Sequence, residues 1–281
     1  MTNRHERRAN NKKNRSSLGK AKLRCLACNS VSRSMNKEHY WPEWLIEYAN
    51  IGNSKVYWLG KNIKPGAATI PLCIECNSAF GTQLEGPMKS IFDDLDSGKG
   101  LSDKEAELTI RWLWKFEGIS WSINHISHPT LRYSEKWTLI DRVLGKSFGD
   151  YRDDFCLAVG VAKKNDEGFS EWPVGLDSGI AIQNSVFVSG VFYKFAIMSL
   201  DAQFKHLVPK EFQLIQLKKT PTMEKEYFPD AQFDTIRNAV KITQAASIKL
   251  CLSHELISSI SDTSNQRTKL LGFEPKRIEL P

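Results

Sequence analysis

The stretch that decides the fold runs from Cys25 to Glu85. Its informative parts are CLAC (Cys25 to Cys28), EHYWPEWL (Glu38 to Leu45) and CIECNSAFGTQLE (Cys73 to Glu85). Four of the 6 cysteines sit here as two Cys-x-x-Cys pairs. Two residues between cysteines let both sulfurs of a tight turn face one point, and two such turns supply the tetrahedral sulfur shell that zinc prefers. The spacing therefore predicts Zn2+ on Cys25, Cys28, Cys73 and Cys76. A closed shell of four thiolates has no open position, so this zinc is expected to be structural, contributing folding free energy and no catalysis. Redox Cys-x-x-Cys motifs do not come as a matched pair of this kind.

Between the pairs lie 44 residues, 29 to 72, against roughly 15 to 20 in a simple zinc ribbon. The clip must enclose a unit with structure of its own. Inside it Glu38 precedes His39. An imidazole can be neutral at physiological pH and so accept a proton, which makes His39 the best general-base candidate in the chain.

These residues resemble the HNH endonucleases with a ββα-metal (His-Me finger) core, in the branch whose core is braced by a four-cysteine zinc. That branch reads as Cys-x-x-Cys, an acid then His, a Pro three residues later, and Cys-x-x-Cys-Asn or Cys-x-x-Cys-His opening a helix. Glu38, His39, Pro42 and Cys73-x-x-Cys76-Asn77 match that order, over about a quarter of the chain. Asn77 falls in the third signature slot, while the middle Asn is not evident in GAATIPL (Gly66 to Leu72). The resemblance implies an enzyme that hydrolyses phosphodiester bonds in nucleic acid, with DNA the expected substrate, in defence, restriction or mobile-element systems. It implies that His39 deprotonates the attacking water and that Glu38 and Asn77 hold a catalytic Mg2+ or Mn2+. Glu85, about two helical turns beyond Asn77, reads as a surface acid.

Composition sets the remaining bounds. A chain of 281 residues, 41% hydrophobic and 25% charged, has the make-up of one large or two ordinary globular domains. Of its 39 Lys and Arg and 32 Asp and Glu, nine basic residues but only one acid lie in residues 1 to 24. That segment, poor in large apolar residues, is expected to be a disordered arm that neutralises phosphates. No apolar run is long enough for a membrane span and no apolar leader follows the N-terminal charges, so a cytoplasmic location is expected.

The fold class expected is α+β: the arm (1–24), an HNH nuclease domain with structural zinc (25–90), and an α+β domain of unassigned role (101–281). The aromatics Trp41, Trp44 and Tyr48, at near-helical spacing after Pro42, are expected in the core. Gly86 to Gly100 reads as a linker, and its Asp93, Asp94 and Asp96 as solvated acids rather than a metal site. Ser102-x-x-Glu105 predicts a capping box opening a helix to about Ile119. Strands are expected over Phe155 to Val161, Val186 to Phe195 and Phe212 to Leu217, and helices over Ala231 to Ile242 and Leu252 to Ile260. His125 and His128 read as loop histidines, and Cys156 and Cys251 as buried small hydrophobes.

Nucleic acid is the expected partner, with room for an effector or protein partner on the C-terminal domain and no role for a membrane. The alternatives are a non-catalytic zinc module that binds nucleic acid through the arm, and an interaction module in which zinc builds a docking surface.

Overall fold

A strand that ends in Glu38-His39 and one that ends in Cys73 pair to form the frame of the N-terminal unit. β1 (Met35–His39) runs antiparallel to the later strand Thr69–Cys73, with Glu38 opposite Ile70 and His39 opposite Thr69. The computed structural model describes residues 24–31, 34–59, 61–127, 134–135, 138–145, 151–176, 187–230, 232–251 and 273–274. The basic arm up to residue 23, His128 and the expected helix Leu252 to Ile260 lie outside these residues, as do the side chains of His125 and Cys251.

After β1 the chain enters α1 (Glu43–Tyr48) from Pro42, then the hairpin β2 (Val56–Trp58) and β3 (Lys61–Ile63), and returns as β4 (Thr69–Cys73). α2 (Ile74–Phe80) follows directly, so Asn77 lies within this helix, whose first residue is Ile74. One turn of π-helix, Gly81–Glu85, leads into α3 (Gly86–Asp96).

The expectation of a linker at Gly86 to Gly100 is corrected by α3. Met88, Ile91, Phe92 and Leu95 recur at helical spacing and all are buried. Glycine and aspartate content masked that stripe. The acids face outward: Asp94 pairs with Lys99 and Lys225, each at 3.0 Å, and Asp96 with Lys194. Truncating the fully buried Phe92 to Ala would cost about 3–5 kcal/mol.

β5 (Leu101–Ser102) precedes α4 (Asp103–Ser127), the long central helix. The capping box forms: the Ser102 backbone N–H donates to Glu105 at 2.7 Å, and the Glu105 N–H donates to the Ser102 hydroxyl at 3.2 Å. The helix continues past Ile119 because its middle is enclosed on all sides, with Trp112 to Ile119 buried without a break.

β6 (Ser134–Glu135) and α5 (Leu139–Leu144) follow, then β7 (Phe155–Lys164), β8 (Val174–Leu176), β9 (Phe187–Phe192), β10 (Phe195–Asp201) and β11 (Gln213–Gln216). The single strand expected over Val186 to Phe195 is two, because the chain reverses at Tyr193, whose φ of 58° is left-handed. Last come β12 (Lys225–Tyr227), β13 (Phe233–Thr235), α6 (Ile236–Cys251) and β14 (Phe273–Glu274). Within the expected helix Ala231 to Ile242, Phe233–Thr235 is strand, drawn into parallel pairing with β7.

The main sheet has the order β11-β7-β10-β9-β8, antiparallel throughout, with β13 alongside β7. Both of its faces are covered. Phe155, Leu157, Val159, Phe195 and Ile197 join a core that also holds α4 and the N-terminal unit. Cys156, Ala158, Ala196, Met198 and Leu200 pack under α6, on Ala239, Ala246 and Leu250. Double coverage accounts for the continuous burial along β9, β10 and β7 as far as Ala162, and for their largely apolar make-up. The architecture is a mixed helix-and-sheet, α+β fold. No helix among the described residues is long and apolar enough to cross a membrane.

Candidate functional site

The four predicted cysteines converge. The sulfurs of Cys25, Cys28, Cys73 and Cys76 all lie within 4.8 Å of one another, and Cys28 Sγ is 3.8 Å from Cys73 Sγ. A tetrahedral site with metal–sulfur bonds of about 2.3 Å has sulfur–sulfur edges of about 3.8 Å, so the donor set fits a metal such as zinc. These separations are far longer than a disulfide of about 2.05 Å, and all four cysteines are free.

Local backbone chemistry builds each turn. In the first, the Asn29 N–H donates to the Cys25 carbonyl at 2.8 Å, and Asn29 takes a φ of 63° that asparagine tolerates better than most residues. In the second, Cys73 caps α2 and accepts from the Cys76 N–H at 3.5 Å. The Leu26 N–H to Pro71 carbonyl bond, 3.1 Å, joins the first turn to β4. Burial pushes the Cys76 thiol up and its cysteine neighbours add to the rise. Cys25 is buried too, but hydrogen bonds from backbone N–H groups, Cys73 first, hold its thiol below the ordinary value.

β1, β4 and α2 form a ββα arrangement that brings Asn77 to Glu38, with His39 the next residue of β1. All three are half-buried. Glu38 is hydrogen-bonded by the Asn77 side chain and feels the charge of His39. His39 is held at the end of β1 by the next residue: the Tyr40 N–H donates to the Ala68 carbonyl at 2.8 Å, and the buried Tyr40 hydroxyl pairs with Ser120 on α4. Burial pushes that phenol up to about 12, since the hydrogen bond from Ser120 offsets little. Thr69 occupies the β4 position across from His39, and Gly66 to Leu72 contains no Asn.

Two residues join this cluster that sequence reasoning placed elsewhere or missed. Glu85, expected on the surface, is 7% exposed and lies in the π-helical turn, where it accepts from Lys115 Nζ and from Trp112 Nε1 at 3.1 Å. A π-turn shifts the helical register by one residue, which an extrapolation of two α-turns beyond Asn77 does not anticipate. Lys115 is fully buried on α4. Its signal was the sequence Trp-Leu-Trp-Lys-Phe from Trp112 to Phe116, where a charge interrupts an apolar run.

The cluster thus holds two carboxylates against one lysine. Burial pushes the Glu38 carboxyl above the usual carboxylate range. Lys115 opposes the rise, Glu85 adds to it, and His39 and Asn77 offset only part of it. Among the described residues, the four cysteines are the one group of His, Cys, Asp and Glu whose ligand atoms converge on a common point.

No family model, curated protein or solved structure matches this chain.

Proposed function

We propose that the chain is a metal-dependent endonuclease of the HNH type that hydrolyses phosphodiester bonds in nucleic acid, with DNA the expected substrate. The observation that carries this reading is the contact of Asn77 with Glu38, beside His39, on a strand pair and helix that also carry the four-cysteine cluster. A nuclease needs a base beside an attacking water and positive charge at the scissile phosphate.

His39 is the base, removing a proton from the water that attacks phosphorus. Glu38 and the Asn77 amide oxygen are hard oxygen donors, and the two carboxylates that share one lysine leave negative charge for a cation to balance. A Mg2+ or Mn2+ held there supplies charge stabilisation for the phosphate and the leaving 3′-oxygen. The Glu85–Lys115 pair fixes the floor beneath Glu38. The four cysteines, holding zinc, keep β1 and α2 in register without touching substrate.

The absence of an Asn in Gly66 to Leu72 favours a second reading, in which the same unit binds nucleic acid without cutting it. Incubating supercoiled plasmid with the full chain and Mg2+ or Mn2+ separates the two. The nuclease reading expects nicked and linear products, and expects Glu38→Ala to need more cation for a given rate. No cleavage by zinc-loaded protein that binds the same plasmid would leave the second reading standing.

A further inference from the structure

We propose that the β2–β3 hairpin is a finger that engages duplex DNA, with Lys55, Lys61 and Lys64 on phosphates and Tyr57 and Leu59 presented to the bases. Its substrate side rests on the nuclease reading, but its binding role is measurable without cleavage.

The hairpin and its flanks are cationic. Residues 48 to 74 contain these three lysines and no Asp or Glu. Beyond residue 24 the chain as a whole is nearly balanced, so the excess positive charge of this segment is local. All three lysines are exposed, and among the described residues none is in a salt bridge; Lys64 Nζ donates only to Asn53 Oδ1, at 3.2 Å. An exposed cationic edge free of acids complements a phosphate backbone.

Between the lysines lie exposed apolar side chains. Tyr57 is 76% exposed and Leu59 55% exposed. Side chains alternate along a strand, so Tyr57 stands on the face opposite Trp58, beside its cross-strand partner Asn62. Lysines at a hairpin edge also discourage aggregation, but that role does not account for a bare Tyr and Leu between them. Leu59 sits at the turn with a φ of 46°, a conformation that hairpins give to Asn or Gly. A leucine kept there costs backbone strain and, with more than half of its surface exposed, gains little burial in the free protein. An apolar side chain at the tip of a basic element is what inserts between base steps in a duplex.

Packing ties the hairpin to the candidate site. The inner face of the hairpin is fixed: the Trp58 ring lies 4.9 Å from Tyr40 and 5.9 Å from Trp41. Tyr40 and Trp41 directly follow His39, so the finger and the base ride on one packed aromatic cluster. Binding by the finger would set where along the strand the base acts.

The test measures fluorescence anisotropy of a short labelled duplex with the full chain, without added divalent cation and over a range of salt, beside thermal melts. Replacing Lys55, Lys61 and Lys64 together by Ala should flatten the slope of log K against log salt by about 0.9 for each phosphate no longer neutralised. Tyr57→Ala should weaken binding roughly tenfold if the ring stacks on a base. Leu59→Asn is the decisive variant. It suits the turn better than leucine, so its melting temperature should hold or rise while its affinity falls severalfold, a pair of results that misfolding cannot produce. Wild-type affinity and salt slope in the triple lysine variant, or wild-type affinity in Leu59→Asn, would overturn the finger. So would a wild type that does not bind the duplex. Plasmid cleavage keeps the two readings apart. Loss of binding in these variants of a chain that never cuts supports the finger against the nuclease, while unchanged binding by a chain that cuts does the reverse.

Discussion

Two clusters of charge are buried along the same helix, and they are built to opposite specifications. On the first turns of α4, Asp103 and Glu107 meet Arg152, which donates from Nε to Glu107 at 2.9 Å, from Nη2 to Asp103 at 2.7 Å, and from Nη1 to the Lys218 carbonyl. The second oxygen of each carboxylate is taken as well, by Arg111 Nε at 2.8 Å and by the Lys218 N–H at 2.9 Å. Although burial alone would push the Glu107 carboxyl up, Arg111, Lys104 and Arg152 together hold it below the usual range. Eight residues further on, roughly 12 Å along the axis, Lys115 is left to serve Glu85 and the neighbouring Glu38, and there the Glu38 carboxyl is pushed up. A saturated network ties the fold together, whereas an undersupplied one keeps a site that favours an added cation. The first cluster therefore belongs to stability, and the second is the one the proposed nuclease reading draws on.

The largest way to break this comparison is to remove the clip that holds the second cluster. Cys76→Ser should lose bound metal and lower the melting temperature sharply, because structural zinc contributes on the order of 10–16 kcal/mol in zinc-finger peptides. Metal analysis beside a thermal melt checks it, and a variant that melts like wild type would show that the sulfurs hold nothing of structural weight. Next in size is Arg152→Met, which strips the buried Asp103 of its arginine and Glu107 of one of its two, and should cost about 3–5 kcal/mol in a denaturant melt. The pH dependence has a definite sign. Because the Glu107 carboxyl is depressed in the fold, its stabilisation is present above the unfolded carboxylate value of about 4.3 and is lost as pH falls through the lower folded value. Wild type should lose stability in that acid window more steeply than Arg152→Met.

The smallest effect runs the other way. Glu38 is raised in the fold, so the native state holds its proton more tightly between about pH 4.3 and the raised value, and stability falls as pH climbs through that window. Glu38→Gln should then melt slightly above wild type at neutral pH without added divalent cation, and the gain should vanish below about pH 4. A Gln variant less stable than wild type at neutral pH would mean that Glu38 is as well satisfied as Glu107.

How much of this was legible in the sequence depended on the range of the interactions. The cysteine turns, the capping box at Ser102 and the aromatic stripe after Pro42 are local, fixed by residues two to four apart, and the fold places them as their spacing implies. A helix after the second cysteine pair followed from order along the chain, but it begins at Ile74, inside the pair, where Cys73 caps it, and not at Asn77. What the sequence hid was long-range. The α3 stripe was obscured by glycines and aspartates, β13 became a strand only by pairing with β7, and Glu85 came inside because a π-turn and a lysine 30 residues away met it there. The apolar runs of β7 and β10 signalled burial but not which cover lies on which face, since a strand buried on both sides shows no alternation.

The account turns on His39, and single-turnover cleavage of plasmid by zinc-loaded wild type and His39→Ala, in Mg2+ and with enzyme in excess, tests it most directly. Losing the base should slow cleavage by roughly 10²–10⁴-fold while metal content, melting temperature and duplex affinity stay at wild-type values. Cleavage by His39→Ala at the wild-type rate, in a preparation shown free of contaminating nuclease, would contradict the assignment of the base and the nuclease reading with it.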